Sequence, residues 1–273
     1  MEILSYEFMQ NAIYAAVLVS IICGIIGCLI VVNKIVFLAG GIAHAAYGGV
    51  GLAFFFGLPV LPSILGFTFS ISTILSVATY KQREASDMIT GALWAFGMAL
   101  GIILIDITPG YNVNLMSFLF GSILAVSEAD IVLMLILDVI ILLLLIIFYK
   151  SFLTISYDFE FAKVKGINVG LLYFLMLLMV GFSIVIMIKV VGLILVIALL
   201  TIPSYIVGEK ANTLGRMMLF SSILSSFFCL SGLYFSYIYN ITSGASIIMV
   251  AVLSLIIFKF LSVTFQKIKK SLG

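Results

Sequence analysis

Residues 130–149 read DIVLMLILDVIILLLLIIFY. About twenty predominantly apolar residues are needed for a helix to cross the hydrocarbon core of a bilayer. A core helix of a water-soluble protein would show polar residues at helical spacing on its outer face. Apart from Asp130 at its start, Asp138 is the one charge within the run, so the stretch reads as a membrane span. On either side, apolar runs of similar length recur at about Asn11–Val32, Ala39–Phe56, Val60–Tyr80, Met88–Ile107, Asn168–Ile188, Val190–Val207, Leu214–Tyr239 and Ala245–Phe265. Pro59 and Pro62, Pro109-Gly110 and Thr242-Ser243-Gly244 punctuate them with turn chemistry.

The expected fold is therefore all-α: a single polytopic transmembrane helical bundle over residues 1–273, with about eight to nine spans. Composition agrees. Hydrophobic side chains make up 64% of the 273 residues and charged ones 9%, whereas a soluble domain carries about a quarter charged. That excludes disordered, collagen-like and nucleic-acid-coating classes, and it leaves almost no extramembrane chain for a catalytic domain. Cys23, Cys28 and Cys229 sit in apolar runs without CxxC spacing and read as small core residues. Glu2 and Glu7 stand where a signal peptide would be basic, so the first run is expected to be a retained helix.

Basic residues set the orientation. Apart from Lys189 and Lys259, every Lys and Arg falls at alternate connections: Lys34; Lys81 and Arg83; Lys150, Lys163 and Lys165; Lys210 and Arg216; Lys267, Lys269 and Lys270. By the positive-inside rule these are cytoplasmic, which puts the N-terminus outside and the C-terminus inside. The segment from Asp106 to Asp130 has no basic residue and is expected outside. Within it, Leu115–Val126 (LMSFLFGSILAV) is apolar but half a span long, and reads as a short re-entrant or interfacial helix.

His44 is the only histidine, set in Ala39-Gly40-Gly41-Ile42-Ala43-His44-Ala45-Ala46-Tyr47-Gly48-Gly49-Val50-Gly51. On a helical wheel Gly40, His44, Tyr47, Gly48 and Gly51 share a face where other backbones can approach closely. Two readings stay open: a packed interhelical imidazole, or a pathway residue that touches a passing cation. Asp138 has the same pair of readings, a partnered structural carboxylate or a pathway group. Lys259 can snorkel from the inner end of the last run. There is no GxxxxGK[ST], Ser/His/Asp set or HExxH, so the chain has no P-loop, and neither an enzymatic activity of its own nor a cofactor is expected. Two cytoplasmic segments offer docking surfaces: Tyr157–Gly166, and the end of Leu199–Lys210, where Pro203 weakens the helix and Gly208 can end it.

Several of these pieces together resemble a known family. The His-centred Gly40–Gly51 segment, Phe118-Leu119-Phe120-Gly121-Ser122, Tyr157-Asp158-Phe159-Glu160-Phe161-Ala162 with Gly166, Val191-Gly192-Leu193 through Pro203, and Leu233-Tyr234-Phe235-Ser236-Tyr237 occur in the order found in metal-type permeases of ATP-binding-cassette importers for zinc, manganese or iron.

The resemblance implies a plasma-membrane permease subunit of a prokaryote. It would pair with a second copy of itself, with a cytoplasmic ATP-binding subunit, and with an extracellular metal-binding protein that delivers the metal ion. Membrane lipid surrounds it and nucleic acid is not a partner. On the pathway reading, the expected translocation or transient metal contacts are His44, Tyr47 and Asp138, with His44 the metal ligand. The resemblance also implies that Ser204, Gly208, Glu209 and Lys210 lie at the coupling segment. Two positions commonly Asp in the family are Gly40 and Ser122 here, which leaves a chelated or organic cargo as the alternative. From other classes, an intramembrane enzyme or a structural membrane protein would use His44 and Asp138 only in packing.

Overall fold

A computed structural model describes residues 6–81, 85–109 and 119–271, and all regular structure among them is helical. Eleven helices follow in order: α1 Glu7–Val32, α2 Val36–Ala45, α3 Tyr47–Phe56, α4 Val60–Lys81, α5 Ser86–Asp106, α6 Glu128–Tyr157, α7 Phe159–Val164, α8 Val169–Val190, α9 Val196–Gly208, α10 Leu214–Tyr239 and α11 Ser243–Ser271. A short 3-10 turn, Ile123–Ala125, precedes α6. Among the described residues eight segments are long and apolar enough to cross a membrane, α2 and α3 together making one of them.

α1 is the axis of the bundle. It packs against α6, α8, α9 and α10, and its buried side includes Ala12, Ala15, Ala16, Ser20, Gly24 and Gly27. Small residues let neighbouring backbones close in, which is how helices associate where lipid removes any hydrophobic drive. A Cβ built on Gly27 would overlap the Leu200 carbonyl, and one on Gly24 would overlap Ser222. The second group is α2 to α5 with α8: α5 lies along both α2 and α3, and α4 packs on α3 and α8.

The helix ends follow local chemistry. Ser127 and Asp130 form a reciprocal capping box that starts α6. Asp158, Asn168 and Thr213 cap α7, α8 and α10 through their side-chain oxygens. α3 closes on Gly57 and α10 on Asn240, both left-handed.

Three boundaries differ from the sequence expectation. The run from Ala39 to Phe56 begins at Val36 and is interrupted at Ala46. The fifth span does not stop at Tyr149 but continues past the exposed Lys150 to Tyr157, where the extended backbone of Asp158 ends it. Past Val190, the last residue of α8, the run to Val207 is helical only from Val196, since Gly192 takes a φ of 85° and turns the chain.

That turn belongs to a knot at the outer end. Gly121 has φ 69°, and a Cβ on either Gly121 or Gly192 would stand 2.4 Å from the other's backbone nitrogen. Ser122 N–H donates to the Lys189 carbonyl, Ile194 N–H to the Leu119 carbonyl, and Ile123 N–H to Ser243 Oγ. Lys189 pairs with Asp130 at 3.3 Å beside them. Residues 110–118 lie outside the described residues, so the expected half-span helix Leu115–Val126 is seen from Leu119 onward: Leu119 and Phe120 are helical, and the 3-10 turn follows.

The inner end gathers Asn33, Lys34, Ser86, Asp87, Ser156 and Tyr157 around one pocket of about 350 Å³, and Asn33 Nδ2 donates to Ser156 Oγ at 2.9 Å. Connections assigned to the cytoplasm thus meet at one end of the bundle. α9 has 13 residues, about 20 Å at 1.5 Å per residue, too short to cross alone. Val191, just before it, touches the outer knot at Gly244, and Glu209, just after it, pairs with Lys259 on α11. An irregular lead-in plus this short helix therefore carries the chain from one end of the bundle to the other.

Candidate functional site

From Leu38 to Gly51 every residue is buried except His44, which is half-buried. It lies one residue from the end of α2, just before the interruption at Ala46. Around it the helices touch backbone to backbone. A Cβ on Gly97 would stand 2.6 Å from Ala45 Cα, and one on Gly51 would stand 2.6 Å from Gly101 Cα. The Gly97–Gly101 pair on α5 is a small-xxx-small seam, and its close approach brings Trp94, one turn earlier, over His44. The two rings stack with centroids 4.2 Å apart and planes 4° from parallel. Trp94 Nε1 donates to Met98 Sδ at 3.0 Å, and Phe37 lies against the indole at 6.2 Å.

These are the chain's only His and only Trp. Among the described residues no side-chain hydrogen bond holds either imidazole nitrogen, and the stack leaves the ring edge free. Coordination takes place in the imidazole plane, so stacking covers the faces and spares the donors.

The other predicted residues separate. Tyr47 is buried and its ring and carbonyl pack on Gly101 along the same seam. Gly40 meets the Ile197 side chain on α9. Ser122 belongs to the outer knot. Asp138 is 2% exposed on the inward face of α6, and neither carboxylate oxygen has a hydrogen-bond partner among the described residues. α6 packs on α1 and α8 and not along α2, so Asp138 and His44 are not brought together. Among the described residues no group of three or more His, Cys, Asp or Glu is placed to hold a metal. The three cysteines are free and buried, as the sequence suggests; Cys23 Sγ approaches Met187 Sδ at 3.5 Å.

At the inner end Ser204 is fully buried and takes a contact from Cys28 Sγ at 3.6 Å, so it faces α1 and not the cytoplasm. Gly208 lies against the Met217 methyl. Glu209 and Lys210 are exposed. Lys259, able by its place to snorkel, forms an ion pair with Glu209 and sits 4.7 Å over the Tyr205 ring; Lys210 lies 5.5 Å over Phe258. The Lys259 hydrogen bond holds the Glu209 carboxyl below its ordinary pKa.

Trp94 is the residue that sequence reasoning missed. One signal was present: Trp favours the membrane interface, whereas Trp94 lies two turns inside its span.

Comparison with known proteins agrees with this architecture. The chain is 44% identical over 256 residues to an uncharacterised membrane protein of Synechocystis, covering 94% of this chain and 91% of that one. It is 34% identical over 252 residues to the manganese transport system membrane protein MntC of Halalkalibacterium halodurans, with 92% and 86% covered. Among solved structures, PsaBC from Streptococcus pneumoniae in complex with Fab superposes with a TM-score of 0.83 at 31% identity, over 93% of this chain and 91% of that one. The pattern of the ABC 3 transport family matches residues 5–262. With eight candidate membrane spans among the described residues and this match along nearly its whole length, the chain is a multi-pass plasma-membrane protein that belongs to the ABC 3 transport family.

Proposed function

We propose that this chain is the permease subunit of an importer for a divalent transition metal, with manganese the favoured cargo, working by alternating access. The observation that carries the reading is the placement of His44. It is the one residue of an otherwise buried segment whose ring reaches the surface, and it does so where α2 meets α5, a helix whose outer face is apolar and uncovered. A lone imidazole facing hydrocarbon is costly. A second copy related by a two-fold axis would cover that face and bring two imidazoles to one pathway.

The relatives named as manganese transport proteins support the cargo. Mn²⁺ stands lowest in the Irving–Williams order, so two imidazoles completed by water and backbone oxygens would hold it weakly. Weak holding is what conduction needs, since an ion must leave as readily as it enters. The chain has no P-loop, so ATP hydrolysis falls to a separate cytoplasmic subunit docked at Gly208–Lys210. Binding of ATP there would favour one packing of α9 and α11 over another. An extracellular metal-binding protein would deliver the ion to the outer loops.

The test is ATP-driven Mn²⁺ uptake into vesicles holding the complete complex. His44→Ala is expected to depress uptake while leaving the amount of assembled complex unchanged. Uptake at the wild-type rate would leave His44 with packing alone and overturn the pathway.

A further inference from the structure

We infer that Trp94 is a positioning residue for the pathway imidazole, holding the His44 ring edge-on to the translocating ion; this rests on the pathway reading of His44. A histidine that meets a metal is ordinarily oriented by a hydrogen bond from its second nitrogen to a carboxylate or carbonyl. Among the described residues His44 has no such bond. Its orientation comes from the indole face 4.2 Å away and nearly parallel. The indole is anchored in turn: Nε1 donates to Met98 Sδ one turn along α5, and Gly97 against Ala45 sets the spacing of the two helices.

The chemistry follows from which parts of the ring are covered. Stacking restricts the tilt of the imidazole but leaves both nitrogens uncommitted, so no tautomer is selected and either nitrogen can be offered in the ring plane. The indole face is also electron-rich, which favours a ring carrying positive charge or bound to a cation. A ligand oriented by a stack and not by a hydrogen bond is positioned yet weakly basic, which suits a site that must release its ion.

The experiment compares Trp94→Phe and Trp94→Ala in the complete complex, measuring KM and kcat for Mn²⁺ uptake alongside His44→Ala. A stacked aromatic pair contributes enough to change an affinity by about two- to twelvefold. Trp94→Ala is expected to raise KM by that factor with kcat nearly unchanged. Trp94→Phe, which keeps a stacking face, is expected to stay within twofold of wild type, and adding Trp94→Ala to His44→Ala should cost nothing more. An unchanged KM in Trp94→Ala, with His44→Ala defective, overturns the positioning role alone; equal defects in Phe and Ala variants do the same, since they would mark a volume requirement. Wild-type uptake by His44→Ala overturns the pathway reading and this inference with it. Should Trp94→Ala not assemble, the emission of the single Trp in the full chain decides: Mn²⁺ should quench it in wild type and not in His44→Gln, and no quenching in wild type counts against the proposal.

Discussion

Gly192→Ala should loosen the outer end of the bundle more than an ordinary glycine substitution, and the structure says by how much. Gly192 has φ 85°, and an added Cβ would meet Gly121 N at 2.4 Å, the Leu119 carbonyl oxygen at 2.4 Å and the Phe120 carbonyl carbon at 2.5 Å. All three are backbone atoms, so no side chain can swing away. The left-handed conformation costs a non-glycine residue about 1–2 kcal/mol, and overpacking adds about 1–3 kcal/mol, giving about 2–5 kcal/mol together. Gly57 supplies the control: its φ is 65° and nothing lies within 4 Å of an added Cβ, so Gly57→Ala meets the conformational cost alone, about 1–2 kcal/mol. At about 2–4 °C per kcal/mol for a chain of this size, apparent Tm should fall by about 4–20 °C for Gly192→Ala and by several degrees less for Gly57→Ala. The assay is thermal unfolding of the purified full chain in one detergent. Equal losses in the two variants would refute the backbone contact between Gly121 and Gly192, and with it the account of why the chain turns after α8.

Two further outcomes follow from buried and surface charge. Asp138 is buried with neither oxygen bonded, so Asp138→Asn should leave apparent Tm unchanged or raise it, and Mn²⁺ uptake should persist; a fall in uptake to the His44→Ala level would restore Asp138 to the pathway. Glu209 is held below its ordinary pKa of 4.5, first by its hydrogen bond to Lys259. A depressed carboxyl contributes stability that is present above the unfolded value and is lost as pH falls through the folded one. The link between α9 and α11 should therefore hold at neutral pH and weaken below about pH 4.5. Hydrogen exchange at residues 205–211 should rise there in wild type, and already at pH 7 in Glu209→Gln; exchange indifferent to both changes would show that the pair does not tie the helices.

How much of the site was legible depends on the kind of residue. His44 stands out in the sequence because one imidazole in a glycine-rich span is costly unless packed or used. Its stacking partner does not, because Trp94 is separated from it by two helices' worth of chain, and only the close approach at Gly97 and Gly101 brings the two rings together. Asp138 looked equivalent to His44 in sequence, both being isolated ionisable groups in apolar runs. Packing separates them, since α6 turns Asp138 toward α1 and α8 whereas α2 lets His44 reach the surface. Ser204 and Glu209 were read as one docking segment; helical periodicity points the first into the core and leaves the second in the open.

The all-helical membrane class, the places of most apolar runs and the absence of a P-loop were legible in the sequence alone, because hydrophobic length and local motifs need no partner. The meeting of Gly121 with Gly192, which delays the helix of the seventh run to Val196, the stacking of His44 on Trp94 and the pairing of Glu209 with Lys259 were decided only by tertiary structure. Each joins residues far apart in the chain, and each depends on contacts of a few ångströms, a scale that the periodicity of single helices leaves open.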